Sequence, residues 1–317
     1  RIRELRHERV KILFHGEDEV SLQKDDVMFE ALGTSLQIHL QVPFDEAVEY
    51  YHAALLATVV LLGFSANSPL VLGKRAWHES RIAIFEQSVD TRDKRRREHG
   101  DGKRVHFAHE YIDTWLDLFE QNNAFKIIFA DVKETPESDL HHFNLHNGTI
   151  WRWIRPILGK DKDGKHTLRL ELRALPSGPT LIDTQTNIWF FIGLIQGLIA
   201  SKVNLRNVPF ETLKNDFYTV AKTGLESEFH EPIHTQKVPL KEWILTEGLR
   251  LTKLGLDSYG IENAEKFLEI IEQRTNTGQN GAAWQLAHFK KYHSIPKLME
   301  DYMNHAEQNI PVHKWSL

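Results

Sequence analysis

Residues 167–173 read Thr-Leu-Arg-Leu-Glu-Leu-Arg, and this stretch decides the fold class that the sequence predicts. Side chains alternate between the two faces of a strand, so the leucines form an apolar face and Arg169, Glu171 and Arg173 form a charged one. A carboxylate between two guanidiniums suggests a surface that holds a metal and phosphates. The alternative is that Glu171 pairs with an arginine of a neighbouring strand on an exposed sheet, and periodicity leaves both interpretations open.

Two further strands are predicted beside this one. Residues 149–158 alternate, 160–164 supply a turn and 166–174 return, which is the pattern of a β-hairpin. Earlier in the chain, residues 34–41 form a strand whose polar side carries Ser35, Gln37, His39 and Gln41. We therefore expect three strands that turn apolar faces onto helices and polar faces toward a common cleft.

Most of the remaining chain has helical periodicity. The predicted helices span residues 45–63, 76–85, 180–202, 209–223, 239–254, 261–273, 280–293 and 296–308, and a further amphipathic run spans 107–119. Residues 1–33 have no clear assignment. The sequence thus predicts an α+β fold, an antiparallel sheet with a polar active-site face backed by helices. We expect a single catalytic-type domain over 1–317, strand-rich at 33–180 and helical at 181–317.

The composition narrows the possible functions. The 317 residues are 41% hydrophobic, enough for a packed core, and 39 basic against 44 acidic residues give a net charge of −5. This acidic balance argues against a nucleic-acid partner. There is no cysteine, which excludes disulfides and is typical of a reducing compartment, so we predict a cytoplasmic protein. The apolar runs 53–66 and 188–200 are too short for a membrane span and indicate buried helices.

The polar faces of the predicted strands supply candidate ligands. Imidazole and carboxylate together suit Mg²⁺ or Mn²⁺ when phosphate supplies the other oxygens, so we predict His39 and Glu171 as metal ligands. Arg155 and Arg173 carry guanidiniums that can contact phosphate or carboxylate through two hydrogen bonds at once.

Four segments, in order, resemble a known family. They are GTSLQIHLQV (33–42), SANSPLVLGKRAWHESRIAIF (65–85), the paired strands within 148–180, and NTGQNGAAWQ (276–285). The first is similar to the family's histidine strand, and the second to its Ser-Pro segment and the arginine-bearing helix that follows. The third, the most specific, is similar to its Arg-Pro and Glu-x-Arg strands. The family is that of the glutamate–cysteine ligase-like carboxylate–amine ligases of the second bacterial type.

The resemblance implies a glutamine synthetase/guanido kinase-like fold and an ATP-dependent reaction. Such ligases phosphorylate a substrate carboxylate, and an amine then attacks the acyl phosphate to give an amide. By this match Glu171 would bind Mg²⁺ or Mn²⁺ beside the nucleotide, and His39 would serve a second metal. Arg169 and Arg173 would bind ATP, with Arg173 at the γ-phosphate.

The same resemblance implies a set of substrate residues. Arg81, Arg155 and Gln37 would bind the small-molecule carboxylate and amine, with Arg155 and Arg173 also acting in catalysis. Glutamate is the expected γ-glutamyl donor. We expect no nucleic-acid or membrane partner, and a homodimer is an open alternative to a monomer.

The chain departs from the family pattern in two places. The family opens with a Glu-x-Glu strand of metal ligands, and HGEDEV (15–20) has acids with no strand pattern around them. The chain also begins with Arg1, so we expect an N-terminal truncation. The family's Asp-Thr-Gly is replaced by Arg75-Ala-Trp-His, which leaves the amine undefined. A non-catalytic nucleotide-binding or regulatory relative therefore remains the alternative function.

Three other motifs have plainer interpretations. Residues 230–234 match the zinc-protease pattern His-Glu-x-x-His, but Pro232 opposes the helix that this motif requires, so we predict no zinc hydrolase. The basic run at 92–97 is either a solvated loop or a lid over phosphates. Trp151 and Trp153 could stack on adenine, and we predict core packing instead.

Overall fold

The computed structural model describes residues 2–25, 27–128 and 140–317. Its strands are β1 (Val10–His15), β2 (Glu19–Lys24), β3 (Ile38–Val42), β4 (Leu70–Val71), β5 (Lys74–Arg75), β6 (Ile154–Lys160), β7 (His166–Leu172), β8 (Glu228–His230) and β9 (Lys237–Pro239). Its α-helices are α1 (Ile2–Arg6), α2 (Ala47–Ser65), α3 (Arg81–Ser88), α4 (Lys94–Glu98), α5 (Asp117–Glu120), α6 (His141–Asn147), α7 (Leu181–Ala200), α8 (Phe210–Thr223), α9 (Leu240–Trp243), α10 (Leu249–Ser258), α11 (Ala264–Thr277), α12 (Gly281–Tyr292) and α13 (Ile295–Glu307). A π-helical turn, Ile244–Gly248, joins α9 to α10.

The predicted three-stranded sheet is present, in the order β3-β7-β6, and both pairings are antiparallel. Strand β3 is shorter than predicted and begins at Ile38. The β6–β7 hairpin is confirmed, and its turn ends on Gly164, whose positive φ of 79° favours glycine. Mixed helix and small antiparallel sheets confirm the α+β class.

The apolar face of β7 packs onto helices, as predicted. Its three leucines are buried and belong to one hydrophobic cluster with residues of α2 and α7. Helix α2 is long and apolar enough to cross a membrane, but almost all of it is buried inside the protein, so it is a core helix. The sheet therefore rests on a rigid apolar support that leaves its opposite face free for polar groups.

Two helices of the support lie unusually close together. A Cβ atom on Gly197 of α7 would collide with the backbone of Leu251, and one on Gly255 of α10 would collide with the backbone of Gly193. Only glycine permits this backbone approach, which fixes α10 against α7 behind the sheet.

The N-terminal region, unassigned from the sequence, contains a hairpin. The expectation that the acids at 15–20 have no strand around them is wrong, because β1 and β2 pair antiparallel on either side of them. Strand β1 alternates buried and exposed residues, with its buried face against α3. Asp18 and Glu17 in the turn bind Arg75, the residue that stands in the altered family motif.

Two helix predictions are wrong. The run 107–119 is mostly irregular, and within it only the start of α5 is helical. Its apolar residues Phe107 and Ile112 are buried while lying in a loop, so their burial does not require a helix. The helix predicted from 76 begins at Arg81, after a segment that pairs with neighbouring backbone.

Candidate active site

Glu171 lies at the centre of the polar face of the sheet. In the strand register His39 of β3 is its partner on one side and Arg155 of β6 its partner on the other. Strand alternation places Arg169 one step along the same face, opposite Gln41, and Arg173 just beyond the other end of β7. The structure thus brings together on one surface the side chains that the sequence predicted there.

Five residues form what we call the Glu171 cluster: Glu171, Arg155, Arg173, Gln37 and His39. Nε of Arg155 donates to Oε2 of Glu171 at 2.6 Å, and Nη1 of Arg173 donates to Oε1 at 3.1 Å. In the amide orientation that satisfies both neighbours, Gln37 donates to Oε1 at 3.0 Å. Nε2 of His39 lies 3.5 Å from Oε1.

The cluster carries more positive than negative charge. Glu171 is only 2% exposed, and burial alone would raise its pKa, but the guanidiniums of Arg173 and Arg155 outweigh burial and the pKa is lowered. The carboxylate is therefore ionised and faces two cations. Even with His39 neutral the net charge is +1, which suits an anionic ligand.

A cavity of about 230 Å³ lies at the Arg173 end of this face. Its wall combines polar and aromatic side chains contributed by the sheet, by α3 and by the segment before β3: Glu30, Ser35, Gln37, Arg81, Phe85, Trp153 and Arg173. Nη2 of Arg173 makes no hydrogen bond to any described residue, which leaves a guanidinium donor for a ligand. A second cavity, of about 520 Å³, lies at the other end of the face, beside Gln41 and Thr167.

Arg81 reaches the first cavity from the start of α3. Its Nη1 donates to Oε1 of the fully buried Glu79 at 2.8 Å and to the carbonyl of Ala174 at 3.1 Å. Glu79 also accepts from Ser68 Oγ and from the backbone N–H of Asn67. The guanidinium is thus held against the segment that follows β7 and carries Arg173.

The last of the four family-like segments supports the same region. Gln285 of α12 donates to the backbone and side-chain oxygens of Asn67, and the side chain of Asn280 donates to the carbonyl of Gly63. Segments far apart in the sequence therefore meet around one site.

The model of the glutamate-cysteine ligase family 2 (GCS2) matches residues 7–306, nearly the whole chain. The chain belongs to the GCS2 family. No curated protein matches it. Membership agrees with the resemblance seen in the sequence and supports a carboxylate–amine ligase type of enzyme.

The two side chains predicted as metal ligands, Glu171 and His39, do not form a metal centre by themselves. Among the described residues no group of three or more His, Asp or Glu side chains could hold a metal ion. Glu171 and His39 supply two donors of the kind that Mg²⁺ accepts when phosphate oxygens complete its shell. The donor set therefore fits a metal held jointly with phosphate, and not a centre made by these side chains alone.

One buried network beside the Glu171 cluster was not predicted from the sequence. The carboxylate of Glu86, on α3, accepts from Trp153 Nε1 at 3.0 Å, from Tyr218 at 2.8 Å and from Lys103 at 3.3 Å. Trp153 is buried, as predicted, yet its ring also lines the first cavity. A glutamate on a predicted helix gave no local signal, because its partners are remote in the sequence.

The two competing motifs lie outside the site. Residues 230–234 form a strand end and a turn in which Glu231 accepts backbone N–H groups, so the prediction of no zinc-protease helix is confirmed. The loop predicted at 92–97 is mostly helical, because Lys94–Glu98 form α4 with Asp93 as its N-cap. Arg92 pairs with Asp90 and Arg97 with Glu8, which favours a solvated surface segment over a lid.

Proposed function

We propose that this GCS2 protein is an ATP-dependent carboxylate–amine ligase whose active site is the polar face of β3, β7 and β6. The observation that carries the proposal is the Glu171 cluster, in which two guanidiniums surround one ionised carboxylate beside a cavity. A surplus of guanidinium donors at a half-buried surface is the electrostatic requirement of phosphoryl transfer.

The reaction has two steps. An oxygen of the substrate carboxylate attacks the γ-phosphorus of ATP, the bond from that phosphorus to ADP breaks, and an acyl phosphate forms. The nitrogen of the amine then attacks the acyl carbon, phosphate leaves with one carboxylate oxygen, and the amine loses a proton. The product is an amide, with glutamate as the donor that the family name suggests.

Each substrate has a place in this proposal. The carboxylate substrate occupies the 230 Å³ cavity, where Arg173 meets both the carboxylate and the transferred phosphoryl group, and Arg81 holds the wall in position. The phosphates extend along β7 past Arg155 toward Arg169. The nucleoside then enters the 520 Å³ cavity, where Phe44 offers an apolar surface.

We propose that a metal ion binds to this site together with the nucleotide. Glu171 and His39 would hold a Mg²⁺ or Mn²⁺ ion together with phosphate oxygens. Such an ion neutralises charge that develops on the phosphates during transfer. Arg155 keeps Glu171 ionised and oriented, and Trp153 and Phe85 exclude water from the reacting carboxylate.

Hydroxylamine tests this function without knowledge of the natural amine. It attacks acyl phosphates to give a hydroxamate, which forms a coloured complex with ferric iron. We expect glutamate, ATP and Mg²⁺ to give hydroxamate and one ADP per product, and Arg173→Met to abolish both. The matched control is Arg250→Met, which removes an exposed guanidinium of α10 and should leave the rate unchanged. Absence of hydroxamate and ADP with every carboxylate tried would contradict the proposal.

One observation favours a second candidate, the non-catalytic relative. The described residues place two potential metal donors on this face, and both oxygens of Glu171 are already engaged by arginines. A regulatory relative would bind ATP with normal affinity but give neither hydroxamate nor ADP. Nucleotide binding measured beside the hydroxamate assay separates the two functions.

A further inference from the structure

We propose that Arg173 blocks the binding of divalent cations to the carboxylate of Glu171 until the phosphates of a nucleotide draw its guanidinium away. We call this role of Arg173 the gate. Nucleotide would then bind before metal. The inference rests on the proposed function, since it concerns the order in which the ligands of that site arrive.

The geometry assigns the two arginines different tasks. Arg173 holds Oε1 of Glu171, and Oε1 is the same oxygen that faces Nε2 of His39 at 3.5 Å. Arg155 holds the other oxygen, Oε2, at 2.6 Å and also donates to the carbonyl of Gly148. Removal of Arg173 therefore leaves Oε1 with only the neutral amide of Gln37, at the edge where a carboxylate oxygen and an imidazole nitrogen can share a metal, while Arg155 continues to hold the carboxylate.

Only one of the two guanidiniums is free to leave. The guanidinium of Arg155, on β6, is held by two partners, Glu171 on β7 and the carbonyl of Gly148 before β6. Arg173 lies just after β7 and borders the cavity; its Nη1 is shared between Glu171 and the amide oxygen of Gln37, and its Nη2 has no hydrogen-bond partner in the described part of the chain. A phosphate oxygen in the cavity can take this donor first and then the donor that binds Glu171.

Charge sets the order of binding. A divalent cation that approaches Glu171 alone meets two guanidiniums and one carboxylate, a net charge of +1 that Glu30 on the cavity wall only partly offsets, and both oxygens of Glu171 are occupied. A polyphosphate that arrives alone is attracted by the same charge. Once it is bound, its oxygens satisfy Arg173 and supply the remaining metal ligands.

The test measures metal binding and not turnover. Mn²⁺ alone is titrated into the protein, and the signal of free Mn²⁺ is followed by electron paramagnetic resonance. We expect no measurable uptake by the wild type at the concentrations used. Arg173→Met should show uptake, with an affinity for Mn²⁺ about tenfold or more above the limit set by the wild type, because one full charge a few ångströms away is removed.

Two matched variants show whether the gain in Mn²⁺ affinity is specific to loss of the Arg173–Glu171 contact. Arg169→Met removes the same charge from the same strand face, but Arg169 makes no hydrogen bond to Glu171, so this variant should gain clearly less affinity for Mn²⁺ than Arg173→Met. Adding His39→Asn to Arg173→Met should abolish the gained affinity. Uptake of Mn²⁺ by the wild type, or equal gains in Mn²⁺ affinity in Arg169→Met and Arg173→Met, would overturn the proposed role of Arg173.

A second titration keeps the inference falsifiable if Arg173→Met does not fold. A non-hydrolysable ATP analogue titrated in EDTA should bind the wild type without metal, and a strict metal requirement would overturn the proposed order. If the analogue binds under no condition, the proposed function fails, while Mn²⁺ titrated into the wild type still tests the inference, because uptake without nucleotide would overturn it. The two failures are therefore distinguishable.

Discussion

Two buried clusters in this protein both pair arginine with a carboxylate, but they differ in charge balance and in access to a ligand. Between α7 and α11, Nη2 of Arg274 donates to Asp183 at 2.6 Å and Nη1 donates to Asn187 at 2.7 Å. Both charged side chains are almost completely buried, at 1% and 0% exposure, and Asp183 also accepts the backbone N–H of Val312. Here one guanidinium meets one carboxylate, and neither charged side chain lines the cavity that Ile182, Ile270 and His313 border beside them.

The Glu171 cluster differs in charge balance more than in burial. It has two guanidiniums for one carboxylate, it borders a cavity, and it keeps a free donor on Arg173. A balanced, closed pair has nothing to offer a ligand, whereas an unbalanced and open one does. Burial of an ion pair therefore does not identify a site, and surplus donors at an accessible edge do.

The largest effect is expected at the closed pair. Arg274→Met should lower the free energy of unfolding by about 4 kcal/mol, because Asp183 is left buried without its cation. Denaturant unfolding measures this change, and Asp183→Asn in the same chain should restore part of the loss. If Arg274→Met costs under about 1 kcal/mol, the pair is not the closed structural element described here.

A smaller loss of stability is expected at the open cluster. Glu171→Gln should cost about 2 kcal/mol, since water from the cavity can reach the guanidiniums that it leaves unpaired. The same variant should abolish metal-dependent binding of ATP while the fold is retained, which circular dichroism and calorimetry would measure. Unchanged nucleotide affinity in the presence of Mg²⁺ would contradict the role given to Glu171.

Arg173→Met should separate binding from stability. We expect affinity for the ATP analogue to fall about tenfold or more, the value of a charge-assisted hydrogen bond, with little change in unfolding. Arg250→Met on α10 is the control for net charge and should change neither quantity. A stability loss as large as that of Arg274→Met would mean that Arg173 acts mainly in the fold.

The smallest effect is a pH dependence of the open cluster. The pKa of Glu171 is lowered from 4.5 by Arg173 and Arg155 despite its burial. Its contribution to stability is therefore complete above pH 4.5 and is lost as the pH falls through the lower, folded-state pKa. The stability difference between the wild type and Glu171→Gln should shrink as the pH is lowered from 7 to about 3. A difference that stays constant over this range would contradict the assignment.

Local sequence pattern predicted much of the fold and most of the site. Alternation along 166–174 and 34–41 is a property of strands, so it identified β7, β3 and the side chains that share their polar face. Helix periodicity likewise identified α2 and the helices after 180. These features are readable because the pattern repeats within a few residues.

Features that depend on distant contacts were not predicted. The partner of Asp183 lies 91 residues away, and that of Glu86 on Tyr218 lies 132 residues away, so neither has a local signature. Phe107 is buried in an irregular segment, so the apolar spacing of residues 107–119 was mistaken for that of an amphipathic helix. The Arg173–Glu171 contact joins residues that the sequence had placed on one face, but only the structure gives its geometry.

A crystal structure with Mn²⁺ and a non-hydrolysable ATP analogue is the most direct test of the proposed nucleotide and metal site on the β3-β7-β6 face. Anomalous scattering locates Mn²⁺ independently of the phosphates. We expect Mn²⁺ between Oε1 of Glu171 and Nε2 of His39, and the guanidinium of Arg173 on phosphate instead of Glu171. Nucleotide bound away from the β3-β7-β6 face, or a Glu171 still held by Arg173 beside bound nucleotide and metal, would contradict it.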